Sequence, residues 1–295
     1  MVGPTAVGKT RLALELAQHL DAEIVAADSR QVYRHLDIGT GKATRAEQAR
    51  ARHHLLDVVA PDVRFDVADY VHLARRAIVD IAARGRAVVV CGGTGLYVKA
   101  LLRGLFPGPK ADPGLREKLL ASGDARALHD RLSECDAEAA RRIHPHDLVR
   151  TVRALEVHTL TGRSMSEWQR AHGFATPIYD ALVVGLWRER DTLRRAIAER
   201  CEDMIRQGLV EEVRSLWTHG FGPDLAPLRT LGYRHMGAHL RAECTLAEAL
   251  AGMIADTGRY AKRQVTWFRG EPEVRWFEAD DTSGVLEASR RFLER

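Results

Sequence analysis

Residues 3–10, Gly3-Pro4-Thr5-Ala6-Val7-Gly8-Lys9-Thr10, match GxxxxGK[ST] and constrain this chain more than any other stretch. The pattern works only as a tight loop between a buried strand and a helix. Its glycines let backbone N–H groups converge on phosphate oxygens, and the helix N-terminus adds its positive dipole end. Lys9 supplies a point charge and the Thr10 hydroxyl suits Mg²⁺. Residues 11–20 (RLALELAQHL) supply the helix, with Leu12, Leu16 and Leu20 on one face. A loop of this kind normally follows a strand of about four to six residues. Only Met1-Val2 precede Gly3, so the expectation is a first strand cut short, by a misplaced start or a trimmed end.

The rest of the chain extends the strand–helix alternation. Glu23–Ala27 predicts a strand ending at Asp28, a helix is expected over about Phe65–Arg84, and Ala87–Cys91 (AVVVC) is a β-branched run of the kind buried in parallel sheets. Phe106-Pro107-Gly108-Pro109 is a strong breaker, after which Ala-, Arg- and Glu-rich helical sequence runs until Ala181–Trp187 returns to strand character. One amphipathic helix is expected over Asp191–Leu216, a loop over Gly220–Pro227, and helices to Phe268. The predicted fold class is α/β, a P-loop NTPase-like parallel sheet core with a helical insertion domain. Its parts are 1–109 with 182–270 as the core, 110–181 as the insertion, and 271–295 as an acidic tail expected to pack late and loosely.

An ordinary P-loop ATPase has an apolar strand ending in an acidic residue that positions Mg²⁺. Here AVVVC ends instead in Gly92-Gly93-Thr94-Gly95, which can approach a phosphate but can neither take a proton nor hold a metal. The acid at a strand end is Asp28. A carboxylate beside a phosphate site is a candidate general base toward an acceptor group. An N-cap or a Mg²⁺-supporting aspartate is the competing reading.

Composition sets outer bounds. The four cysteines, Cys91, Cys135, Cys201 and Cys244, form no CxxC pair, which fits a reduced, cytoplasmic protein. No apolar run approaches the roughly 18–20 residues of a membrane span, and no signal-peptide pattern opens the chain. The net charge of +4 is weak for a nucleic-acid binder, but the last 25 residues carry 7 acidic against 4 basic side chains, so the body is more basic than the average. The pairs His53-His54 and His144/His146 are expected to be packed or capping rather than metal ligands.

Nine collinear segments then converge on one family. They are GPTAVGKT at 3–10, DSRQVY at 28–33, DIGTGK at 37–42, HHLLD at 53–57, GGTGLY at 92–97, ADPGLR at 111–116, RIHPHDLVRTVRALEV at 142–157, RTLGYR at 229–234 and AKRQVTWFRG at 261–270. Taken together, the chain resembles the bacterial tRNA dimethylallyltransferases over nearly its whole length. The resemblance implies transfer of a dimethylallyl group from dimethylallyl diphosphate to N6 of an adenosine beside the tRNA anticodon, with Mg²⁺. The P-loop would then bind a diphosphate leaving group rather than ATP.

The resemblance also distributes roles. Gly3 to Thr10 (Gly3, Pro4, Thr5, Ala6, Val7, Gly8, Lys9, Thr10) become the diphosphate loop, with Thr10 facing the metal. Asp28 becomes the general base, Thr94 lies near the reacting centre, and Lys9 and Arg200 neutralise the diphosphate. Contacts to the anticodon stem-loop are implied for Asp28, Ser29, Arg30, Gln31 (reading the adenine edge), Thr94, Arg116, Val149, Arg150, Thr151, Val152 and Arg153. Arg229, Thr230, Leu231, Gly232, Tyr233 and Arg234 form a further implied strip, and the family suggests a monomer with no membrane partner. Two positions depart from the family pattern: Glu189 stands where an aspartate is frequent, and Ala196 where an arginine is common one turn before Arg200. From the residues alone, a small-metabolite kinase using ATP and a non-catalytic P-loop RNA-binding module remain alternatives.

Overall fold

The computed structural model describes residues 1–174 and 176–295. They divide into two compact units, Met1–Leu101 with Asp180–Arg295, and Leu102–Tyr179.

The first unit is α/β. Its elements begin with α1 (Lys9–His19), β1 (Ala22–Ala26), α2 (Arg45–Arg50), β2 (His53–His54), α3 (Val67–Ala83), β3 (Ala87–Cys91) and α4 (Gly95–Arg103). Strands β2, β1 and β3 lie side by side in that order, all parallel, with Ile24 of β1 opposite Val89 of β3. Every residue of β1 is buried, as a strand covered on both faces requires. Helix α3 starts two residues into the expected span because Asp66 caps it: its carboxylate accepts the Ala68 and Asp69 amides, and Asp69 returns the bond.

The second unit holds α5 (Pro113–Ala121), α6 (Ala125–Cys135), α7 (Ala137–Arg142), α8 (Leu148–Thr161) and α9 (Met165–His172). It is helical, with Leu128, Leu132, Val152 and Leu155 in its own core. Its edges fall at Leu102 and Tyr179. The Ile178 amide closes on the Leu102 carbonyl at 2.7 Å, which places the breaker at 106–109 inside the unit.

The chain then resumes the first unit with β4 (Val184–Trp187), α10 (Arg190–Arg206), α11 (Leu209–Thr218), α12 (Tyr233–Leu240), α13 (Leu246–Arg269), β5 (Arg275–Glu278) and α14 (Thr282–Leu293). The single helix expected over 191–216 is two helices, because Gly208 adopts φ +99° and breaks the ladder. The acidic tail is also not loose. Strand β5 pairs in parallel with β4, and Ala279 and Val285 are buried against α1 residues such as Leu12 and Leu16. Apolar positions at strand and helix spacing outweigh the local negative charge.

The two residues before the P-loop occupy the centre of this surface. Val2 exchanges backbone bonds with Val184 and Leu186 of β4 at 2.8 and 2.9 Å, while the Met1 amine donates to Val90 of β3 at 2.6 Å. The strands therefore run β2-β1-β3, then Met1-Val2, then β4-β5. The P-loop thus leaves the middle of the sheet, at the strand ends where α/β proteins gather their ligands.

Candidate functional site

The loop at 3–10 owes its shape to glycine and to internal bonds. Gly3 has φ +142°, and a Cβ there would lie 2.7 Å from the Leu186 carbonyl oxygen. Gly8, at φ +104°, immediately precedes α1. Lys9 Nζ folds back and donates to the Gly3 carbonyl at 3.0 Å and the Pro4 carbonyl at 2.6 Å. Burial pushes the Lys9 ammonium down to about 8, the mark of a cation poorly served by water.

Asp28 stands two residues after the end of β1. Its Oδ1 accepts the Arg30 amide at 2.8 Å and, more weakly, the Gln31 amide at 3.4 Å, an Asx-type turn that fixes the carboxylate's orientation. Thr94 Oγ1 accepts the Ser29 amide at 3.0 Å, and the Thr94 amide donates to the Ala27 carbonyl at 3.2 Å. The loop after β3 and the turn after β1 are therefore one hydrogen-bonded assembly. Gly92 permits this, since a Cβ there would collide with the Ala27 carbonyl.

A cavity of about 710 Å³ opens among these elements. It is lined by Thr5, Ala6, Gly8, Lys9 and Thr10 of the P-loop, by Arg200 of α10, and by Asp28, Ser29, Arg30, Gln31, Thr230, Leu231 and Arg234. The Arg200 guanidinium is held against Gly41, where any Cβ would collide with it. Burial lowers the pKa of Arg200 while the nearby Asp28 carboxylate works in the opposite direction. Among the described residues Arg200 makes no ion pair. Two half-buried cations, the P-loop and a carboxylate held by backbone amides thus line one cavity.

Other predicted site residues stand elsewhere. Gly3, Pro4 and Val7 are buried behind the loop. Gln31 commits its amide protons to the Thr40 and Gly41 carbonyls at 3.3 and 3.1 Å, so it braces the 37–41 loop; any reading of a base edge falls to its oxygen. Arg229 is exposed and pairs with Asp224 at 3.1 Å. Gly232 and Tyr233 are buried, and the Tyr233 hydroxyl donates to Glu212 at 2.6 Å. In the helical unit, Val149 and Arg150 face solvent, but Thr151 and Val152 point into the core and are corrected from surface contacts to packing residues. Arg116 and Arg153 are both held by the fully buried Glu156, at 2.8 and 2.5 Å. Burial would raise the Glu156 carboxyl, but hydrogen bonds from Arg116, Arg153 and the Asp112 amide outweigh it and bring it to about 2.

The departures are accommodated. Glu189 still caps α10, its carboxylate accepting the Asp191 and Thr192 amides at 2.8 and 3.0 Å, while Ala196 lines the cavity without supplying charge. His54 Nε2 pairs with the buried Glu23 at 2.6 Å, while His53 Nδ1 contacts the Ala51 carbonyl at 2.8 Å and the residue lines the cavity.

Three functional positions escape reading from sequence. Glu212 gathers the amides of Asp37, Ile38 and Gly39 at 3.1, 2.8 and 3.2 Å and so anchors the loop carrying Gly41. Tyr260 lines the cavity, its phenol pushed up to about 12 by burial and by Asp28. Gln264 bonds the P-loop directly.

An α/β core, a P-loop at its central strand and an acid facing the same cavity define a P-loop group-transfer protein. The sequence profile described as IPP transferase matches residues 31–271. A tRNA dimethylallyltransferase of Syntrophobacter fumaroxidans is 48% identical over 97% of this chain and 84% of its own length. One of Geobacter sulfurreducens is 48% identical over 94% and 90%. Among solved structures, the tRNA isopentenylpyrophosphate transferase of Bacillus halodurans superposes with a TM-score of 0.74 at 38% identity, covering 99% of this chain and 95% of that one. A eukaryotic dimethylallyltransferase, solved acting on tRNA, gives 0.81 at 27% identity over 96% and 73%. The chain belongs to the IPP transferase family.

Proposed function

We propose that this chain transfers a dimethylallyl group from dimethylallyl diphosphate to N6 of the adenosine beside the tRNA anticodon, releasing diphosphate. The observation that carries the reading is the combination of groups in one cavity. Lys9, Arg200 and the P-loop residues line it together with Asp28, while β3 is followed by Gly92-Gly93-Thr94 where an ATPase would place an acid. The cations suit a departing anion, and the carboxylate an acceptor that must lose a proton.

The N6 lone pair attacks the allylic carbon as the carbon–oxygen bond to diphosphate breaks, and the N6 proton passes to Asp28. Charge grows on the leaving oxygens, so preorganised donors there give the largest rate effect. Lys9 and Arg200 are already desolvated and need little reorganisation to receive it. The Thr10 hydroxyl lines the cavity beside the loop and is a hard oxygen donor of the kind Mg²⁺ takes. Bound there, Mg²⁺ would neutralise diphosphate charge.

On the acceptor side, Ser29, Arg30, Thr230, Leu231 and Arg234 line the space a flipped-out base would occupy. Val149 and Arg150 are the insertion residues open to RNA; Arg116 and Arg153 serve by holding that unit's fold. The chain acts as a monomer in this reading.

The test is release of inorganic diphosphate. It should require both unmodified tRNA and dimethylallyl diphosphate, and ATP should not replace the latter. Release of phosphate from ATP without tRNA would favour a kinase-like chemistry and contradict the proposal.

A further inference from the structure

We infer that Gln264, on α13, is a positioning residue that sets the spacing between the diphosphate loop and the acceptor segment; this rests on the transfer reading above. Its side-chain amide is buried, with Oε1 accepting the Thr5 amide at 2.8 Å and Nε2 donating to the Gly93 carbonyl at 2.9 Å. The two partners fix which way the amide faces, because a backbone N–H needs the oxygen and a carbonyl needs the nitrogen.

The partners belong to different halves of the site. Thr5 is in the P-loop. Gly93 precedes Thr94, whose hydroxyl holds Ser29 beside the Asp28 carboxylate. One amide thus ties leaving-group side to acceptor side, through Thr5, Gly93, Thr94 and Ser29.

Both partners are backbone groups, so the amide serves the fold as well as the site. The other buried residues of α13 are Ala249, Met253, Thr257, Ala261 and Phe268. A buried amide costs desolvation unless paired, and here both ends are paired; an apolar side chain would leave the Thr5 amide and the Gly93 carbonyl without these partners. Gly93 is fitted to it: any Cβ there would collide with Nε2. In-line displacement needs the two reacting atoms aligned, and small errors in that alignment cost rate rather than affinity.

The test is the single-turnover transfer rate of Gln264→Met, which keeps length and volume and loses both bonds. With Mg²⁺, unmodified tRNA and dimethylallyl diphosphate, the rate should fall about 10–100-fold. The donor KM and tRNA Kd should stay within about threefold of wild type, since affinity is set elsewhere. A folded variant with a rate within about twofold of wild type would overturn the inference, as would a raised donor KM at unchanged rate. If Gln264→Met fails to fold, Gln264→Glu decides. It keeps the acceptor for Thr5 but opposes a carboxylate to the Gly93 carbonyl, and it should show the same rate loss. Near-normal turnover by it would equally contradict the claim. Absence of product from wild type would instead defeat the transfer reading itself, so the two failures are distinguishable.

Discussion

Thr94 Oγ1 accepts the Ser29 backbone amide at 3.0 Å, so the loop after β3 holds the turn that carries Asp28. Replacing Thr94 with valine keeps the shape and removes the acceptor. A buried N–H left unpaired costs about 1–3 kcal/mol. We expect Thr94→Val to lower kcat about tenfold, and Thr94→Ser to restore most of it. Equal rates for the two variants in steady-state transfer assays would show that the hydroxyl has no such role.

Asp28 should matter for rate and little for RNA binding. Asp28→Asn retains an oxygen for the Arg30 amide but cannot take a proton. Loss of a general base costs about 10²–10⁴-fold in kcat. Gel-shift affinity for tRNA should change by no more than about threefold. A single-turnover rate close to wild type rules out the base assignment.

Arg200 should act on the donor. Arg200→Lys keeps charge and loses the bidentate fork that suits a diphosphate. We expect the KM for dimethylallyl diphosphate to rise about tenfold or more. Gly41→Ala should mimic it, because the added Cβ collides with the guanidinium. An unchanged donor KM in Gly41→Ala would place Arg200 outside the diphosphate site.

Acid should weaken the fold in two stages. His235 is lowered from its ordinary 6.5 to about 4, first by burial and then by Arg234 and Arg259. The unfolded chain therefore takes that proton more readily, and stability falls as pH drops from 6.5 through 4. Glu156 is depressed from 4.5 to about 2, so its contribution is full above 4.5 and is lost as pH falls toward 2. Urea midpoints measured from pH 7 downward should show both declines. Glu156→Gln should weaken the lower one selectively, and His235→Gln the upper.

How much of this was legible in the sequence depended on how local each feature was. The P-loop, α1, β1 and β3 follow from short patterns, and Asp28 was visible as an acid at a strand end. Gln264 was not, because its partners Thr5 and Gly93 lie 259 and 171 positions away. Glu212 meets the 37–39 amides across a similar distance. The family motif presents Val149 to Arg153 as one contacting block, yet helical periodicity turns Thr151 and Val152 to the face of α8 opposite Val149 and Arg150. Charge misjudged the tail in the same way, since Trp276, Phe277, Ala279 and Val285 already carried strand and helix spacing.

The most direct measurement is the mass of the modified nucleoside. Wild-type protein is incubated with unmodified tRNA, dimethylallyl diphosphate and Mg²⁺, the tRNA is digested to nucleosides, and adenosine is weighed. The account predicts adenosine carrying an added C5H8, absent without the donor and strongly reduced with Asp28→Asn. Unmodified adenosine throughout, with ATP consumed in a parallel reaction, would contradict it.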